Sequence, residues 1–314
     1  MKSSFAVLAL VAAAFIMPSS YADTVDLGEI LVSTPYRVPV KEDTVSQDIE
    51  IIGREEIVAS PARTVGELLE QATGVAVNPG SGRSRLQSAG IQGSDARQVR
   101  VMVDGIPMNT QAAQYVDLSA FSLNAVERIE IIKGGASTMW GSGLGGVINI
   151  ITKDTGYTLI PKGSATVSGG GLDTQNGSLE LFGGKGEAGY YLSGGRRVSG
   201  SSASHDRVEQ DTAHSRISYN LDDDNRLTGV FGYSGGDVQS GLLADDSCDR
   251  TLYTRRYGKI GWEYEGDEGS SASLDARISR EQRVWAWFFS PDFENPIIRT
   301  MYKGYHYQLS GLVS

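Results

Sequence analysis

Two rhythms of apolar and polar positions divide this chain. Between about residues 44 and 156 the pattern is mixed. Val65, Leu68 and Leu69 share a helical face, and short, mainly apolar segments such as Val99–Val103 and Val147–Ile151 follow. From about Lys162 the pattern becomes alternation over strand-length segments separated by turns, which predicts half-buried strands. Eight such segments are expected. In residues 252–264, Ile260, Trp262 and Tyr264 share one face, and Arg255, Lys259 and Glu263 the other. In residues 305–313, Tyr305, Tyr307, Leu309 and Val313 oppose His306, Gln308 and Ser310.

The connections between these segments also alternate. Residues 183–187, 222–225 and 265–269 are short turns, whereas 199–211, 235–250 and 288–300 are expected to be loops of a dozen residues or more. Among connections on the long side, only 172–175 is short. Short turns on one side and long loops on the other are the pattern of an outer-membrane barrel. Trp285, Trp287, Phe288 and Phe289 are then expected in an aromatic girdle at the outer interface.

Ahead of the strands, Thr64 and Glu67 form the spacing of a helix capping box, and Gly74 is the expected stop. Asp104-Gly105 is a turn signal after Val99–Val103. The alternating segment Val126–Lys133 runs into a loop with six glycines in the thirteen residues Gly134–Gly146. Such a backbone bends where side chains would clash, and a second strand begins directly after it.

Residues 1–22 read as a secretory leader, with Lys2, an apolar run from Phe5 to Met17 and a small-x-small site at Ser20-Tyr21-Ala22. No later apolar run approaches the roughly 20 residues of a spanning helix, so a membrane-spanning form must be a barrel. The net charge of −10 argues against a nucleic-acid partner. One cysteine, Cys248, allows no internal disulfide.

Four ordered motifs resemble the TonB-dependent outer-membrane receptors. Glu29, Ile30, Leu31, Val32, Ser33 and Thr34, with Pro35 following, look like a TonB box. Thr64–Val77 resembles the plug's first helix and strand. Ile91-Gln92-Gly93 and Val101–Pro107 resemble its central strands, and Val126–Lys153 its end. The resemblance implies a mainly β chain. A small α+β plug domain at 44–156 is followed by an antiparallel transmembrane β-barrel, incomplete, at 157–314. It would hold about eight of about 22 strands. Residues 23–43 would be a tether carrying the box. Closing eight strands leaves no room for a plug, so an N-terminal fragment is expected. The family's arginine before Gly93 is Gln92 here, which puts plug-to-barrel ion pairs in question.

By the same resemblance the function is import of a large scarce nutrient such as cobalamin or a ferric siderophore. The partners are TonB, with its inner-membrane energising complex, and outer-membrane lipid. The location is the cell outer membrane. A surface binding module or adhesin without transport is the alternative. Outward plug loops would offer Arg83, Arg85, Gln87, Asn109, Gln111, Gln114 and Tyr115 to the ligand. Asp237, Asp245, Asp246 and Asp249 are expected in one acidic outer loop, where calcium is a possible ligand, as in cobalamin receptors of this family. No EF-hand spacing is present.

Enzyme readings find little support. Gly141–Gly146 matches G-x-G-x-x-G, but a strand rather than a helix follows it. His205, His214 and His306 have no zinc spacing, and no serine, cysteine or carboxylate pair sits in a recognisable catalytic context.

Overall fold

The computed structural model describes residues 31–32, 40–41, 48–78, 87–109, 115–135, 143–200, 207–239, 247–266, 270–289, 296 and 298–313. Four sheets account for the strands. The first is a pair, β1 (Leu31–Val32) and β2 (Val40–Lys41), joined antiparallel.

A five-stranded mixed sheet centres the first body. Its strands are β3 (Asp48–Ile52), β6 (Val99–Val103), β7 (Ile106–Pro107), β8 (Val126–Lys133) and β9 (Gly146–Thr152), in the order β3-β8-β9-β6-β7. Only β6 and β9 run parallel. β9 is apolar from Val147 to Ile151 but for the buried Asn149, which reflects burial on both faces. One face packs Ile129, Ile131, Ile148 and Ile150 against the helix residues Val65, Leu68 and Leu69. The other holds Met102, Ile132 and Val147 with Ile49. A hairpin of β4 (Val75–Asn78) and β5 (Ser88–Ile91) lies beside this sheet. The helices are short, α1 (Arg54–Ala59) and α2 (Val65–Leu69).

The α2 cap differs in detail from the capping-box expectation. The Thr64 hydroxyl accepts from the Glu67 amide at 3.3 Å as expected. The Glu67 carboxylate, however, accepts from the Arg63 amide at 2.8 Å, one residue earlier than a capping box would have it. The cause is a bridge between Thr64 and Ser122, which holds the cap backbone against a neighbouring segment.

The second body is one antiparallel sheet of eight strands in chain order. They are β10 (Lys162–Gly170), β11 (Thr174–Lys185), β12 (Ala188–Gly200), β13 (Arg207–Asn220), β14 (Asn225–Gln239), β15 (Ser247–Glu265), β16 (Ser271–Phe289) and β17 (Ile298–Val313). Among the described residues it is open, with β10 and β17 each paired on one side. The expected short turns are present at 186–187 and 221–224, and only five residues separate β15 from β16. On the opposite side the described strands end at Gly200, Gln239 and Phe289 and resume at Arg207, Ser247 and Ile298, inside the stretches expected to be loop. Strand pairing continues past the apolar alternation because ion pairs take over at those ends. Arg196 binds Glu209 at 2.9 Å and Asp211 at 3.0 Å, and Arg250 binds Asp237.

Register aligns the outward face of β14–β17 in rows. One row reads Tyr233, Arg256, Arg280, Tyr305. The next four rows toward the short turns are Phe231, Gly258, Ile278, Tyr307; then Gly229, Ile260, Ala276, Leu309; then Leu227, Trp262, Leu274, Gly311; and finally Asn225, Tyr264, Ala272, Val313. None of those four rows carries a charge. Trp262 and Tyr264 stack at 6.4 Å near the short-turn end. The girdle expectation is corrected at Trp285 and Trp287. They stack at 6.5 Å, but strand alternation puts them on the same face as the buried Glu281 and Arg283, the inward one. Phe288 is on the opposite face, buried with Cys248 and Ala286.

Candidate functional site

The inward face of the sheet meets the first body through apolar side chains, Val208, Val230, Val238 and Tyr253, buried in the same core, and through polar groups. The grip centres on the hairpin between β6 and β7. Val103 pairs with Ile106, so Asp104 and Gly105 make a two-residue turn. Both have positive φ, 49° and 74°, the backbone of a type I′ turn, which Asp-Gly favours. The turn thus projects Asp104 into the interface instead of solvent.

Asp104 is buried and fully engaged. Its carboxylate accepts from the Thr152 amide at 2.9 Å and hydroxyl at 2.7 Å, and from Arg216 of β13 at 2.7 Å. Burial pushes the Asp104 carboxyl up. The charge of Arg216, that of His214 and the Thr152 hydrogen bonds outweigh burial and hold it below the usual carboxylate range. On the other side, Arg277 of β16 donates to the Gly105 carbonyl at 3.1 Å and Ser279 to the Pro107 carbonyl at 2.8 Å. One hairpin tip is therefore held from two strands that are not neighbours in the sheet.

Further contacts repeat this chemistry. Ser234 donates to the Ala120 carbonyl at 2.9 Å. Arg255, ion-paired with Glu281 at 3.0 Å, lies 5.1 Å from the Phe121 ring. Near the connection to β10, Lys153 binds Glu180 at 2.6 Å and Arg226 binds Asp154 at 2.9 Å. The ion pairs put in question by Gln92 are thus supplied from other positions. A gap of about 200 Å³ remains beside the grip, between Arg63 and Asn124 on one side and Gly177, Gly195 and Arg197 on the other. Polar contacts of this kind can exchange for water, so the arrangement can hold a body in place and also release it.

The residues expected to meet a ligand separate. Gln87 turns inward: its side-chain oxygen accepts from the Thr64 hydroxyl at 3.0 Å and its amide donates to Asp117 at 3.1 Å. Asn109 clasps β6, donating to the Val99 carbonyl at 3.0 Å and accepting from the Val101 amide at 2.9 Å. Tyr115 is half-buried. Arg83, Arg85, Gln111 and Gln114 lie outside the described residues, as do residues 1–22 and Gly141. Of the expected TonB box only Leu31 and Val32 are described, paired with Lys41 and Val40; Glu29, Ile30, Ser33 and Thr34 lie outside.

The acidic-loop expectation is corrected for two residues. Asp237 and Asp249 belong to the paired strands β14 and β15, and the Asp237 carboxylate takes Arg250, with one hydrogen bond of 2.9 Å. Asp245 and Asp246 lie outside the described residues. Among the described residues no group of three His, Cys, Asp or Glu side chains could hold a metal ion. Sequence reasoning assigned no interface role to Asp104, Arg216, Arg277 or Ser279. The only signal for the wall residues was charge and hydroxyl on the inward parity of otherwise apolar strands.

Comparison with known proteins agrees with this architecture. The family description of the TonB-dependent Receptor Plug Domain matches residues 41–147. The vitamin B12 transporter BtuB of Vibrio cholerae serotype O1 is 39% identical over 149 residues, which are 46% of this chain and 24% of that protein. BtuB of Photobacterium profundum is 31% identical over 187 residues, 58% of this chain and 30% of that protein. The chain thus spans about a quarter of the length of such curated relatives. Among solved structures, the copper transporter OprC superposes with a TM-score of 0.69 at 13% identity, covering 84% of this chain and 42% of its own. The siderophore receptor PiuA from Acinetobacter baumannii gives 0.66 at 18% identity, covering 82% and 39%. These likenesses establish the fold, a plug with the opening strands of a barrel.

Proposed function

We propose, for a chain that belongs through its plug domain to the TonB-dependent receptors, that it is the N-terminal part of an outer-membrane importer of a large scarce nutrient. Residues 1–22 direct export, 23–43 are a tether with the TonB box Glu29–Thr34, 44–156 form the plug, and 157–314 begin the barrel. Cobalamin is the favoured ligand class because the curated relatives are vitamin B12 transporters; a ferric siderophore is the next. Calcium at Asp245 and Asp246 and ligand contacts of Arg83, Arg85, Gln111, Gln114 and Tyr115 on the outward plug loops belong to the same proposal.

One observation carries the reading: the hairpin tip at Asp104–Pro107 is held across the lumen by polar side chains of β13 and β16. A plug held this way blocks the barrel at rest. Tension on the tether can shift it, because each broken contact is replaced by a contact with water. The box acts by adding a strand to the edge of a TonB sheet, where main-chain hydrogen bonds supply the affinity. Ligand binding favours this engagement only by binding the two plug states with different free energy.

Deleting Glu29–Thr34 from a full-length version tests the reading. Energised uptake of the nutrient is expected to vanish while binding to whole cells persists. Uptake that survives the deletion overturns the reading and favours a binding module without transport.

A further inference from the structure

On the outward face, three basic side chains gather where the apolar rows end. Arg256 stands directly opposite Arg280, and Lys303 is diagonal to Arg280 across the next strand pair. All three are exposed. Like charges placed opposite each other destabilise a sheet, and among the described residues none of the three has an acidic partner. Three other arginines toward the outer ends of the strands, Arg196, Arg207 and Arg250, are ion-paired within the sheet. The Arg280 guanidinium lies 5.3 Å from the Tyr305 ring. Thr254 and Gln282, partners in the next row outward, add uncharged donors.

Height decides what this cluster meets. Four uncharged rows separate it from the short-turn end of the sheet. Eight residues of strand at about 3.3 Å each, tilted by about 40°, rise about 20 Å, close to the height of an outer-membrane apolar band. The cluster therefore stands at the headgroup level of the outer leaflet.

We propose that Arg256, Arg280 and Lys303 bind the phosphate of an anionic outer-leaflet lipid, one carrying phosphomonoesters directly above its acyl chains. The guanidinium forks take phosphate oxygens bidentately and the lysine adds a point charge. Ile278 and Tyr307, one row below, lie against the chains. The bound phosphate supplies the counter-charge that the Arg256–Arg280 pair lacks within the sheet. This inference rests on the membrane reading given above.

The test uses the full chain in detergent, with bisphosphorylated lipid A, phosphatidylglycerol and phosphatidylcholine as probes and native mass spectrometry as the readout. Lipid A is expected to bind about tenfold more tightly than phosphatidylcholine, and an R256Q/R280Q variant to lose about that factor. R256K/R280K should retain part of it, and K185Q, at the short-turn end, all of it. Equal retention of lipid A by wild type and R256Q/R280Q overturns the proposal, and so does phosphatidylglycerol bound as tightly as lipid A. Protease protection of β15–β17 in phosphatidylcholine vesicles separates the two layers. Unprotected strands overturn the membrane reading together with this inference, whereas protected strands without lipid discrimination overturn the inference alone.

Discussion

Asp104 illustrates how one side chain can be both a turn former and the centre of an interface. Its Asp-Gly turn was legible in the sequence, but its ion pair was not. Arg216 is 112 positions away, and nothing local indicates that an exposed-looking turn enters the lumen of a barrel. Replacing Asp104 by Asn keeps the turn but leaves Arg216 with the Thr152 hydroxyl at 3.0 Å and, as its one carboxylate, Asp154 at 3.9 Å. Breaking one side of a buried pair costs about 3–5 kcal/mol. D104N should therefore make the plug sensitive to protease at urea concentrations that the parent chain resists. The pH dependence follows from the depressed carboxyl of Asp104. A group whose folded pKa lies below its unfolded value stabilises fully above that unfolded value and loses its contribution as pH falls through the folded one. Plug docking should therefore be insensitive to this group between pH 7 and about pH 4 and weaken only below that. Weakening near pH 6 would assign the docking to another group. Gly105 and Gly146 give a paired prediction. Both have positive φ, but a Cβ at Gly105 would meet only the Arg277 guanidinium at 3.6 Å, whereas one at Gly146 would press on the Ile132 carbonyl oxygen. G105A should cost about 1–2 kcal/mol. G146A should cost clearly more, as measured by the urea midpoint of plug proteolysis.

At the scale of the element, the strands of the second body were the most legible part of the chain. Alternation with period two leaves little freedom, since a slip by one residue exchanges the two faces. Parity sets Ile260, Tyr307 and Leu309 on the face opposite the charged and polar positions, and they are outward and exposed in the structure. Reading failed where alternation stopped carrying apolar character. Residues 199–211 and 235–250 look like loop, yet pairing continues into them as Arg196 binds Glu209 and Asp211, and Arg250 binds Asp237, across strands. Trp285 and Trp287 misled for the opposite reason, since aromatic composition suggested an interface while parity turned them inward. The outward rows predict a depth profile. Lysine facing lipid costs about 2–4 kcal/mol at the midplane and about 0–1 kcal/mol near the interface. I260K, two rows below Arg256, should therefore lower the yield of vesicle-inserted chain severalfold more than T254K, one row above it. Equal yields would remove these strands from the bilayer.

At the scale of the molecule, the plug and the wall meet through two kinds of contact. The plug buries apolar residues on both faces of its central sheet. Its contact with the wall combines apolar packing, in which Val208, Val230, Val238 and Tyr253 join the plug's core, with ion pairs and single hydrogen bonds at Asp104, Gly105, Pro107, Ala120, Lys153 and Asp154. The polar contacts can be exchanged for water one at a time, whereas the apolar part must part from the wall as a unit. Displacing the plug whole therefore requires breaking both. A covalent lock separates seat from body. Ala120 and Ser234 meet through a hydrogen bond of 2.9 Å, which brings their backbones close to the span of a disulfide, up to about 7 Å between Cα atoms. In a full-length version with Cys248 replaced by serine, A120C/S234C should oxidise and abolish energised uptake. Nutrient binding should be unchanged, and a reductant should restore uptake. Full uptake by the oxidised protein, with the bridge verified by mass spectrometry, would show that the plug does not leave this part of the wall during transport.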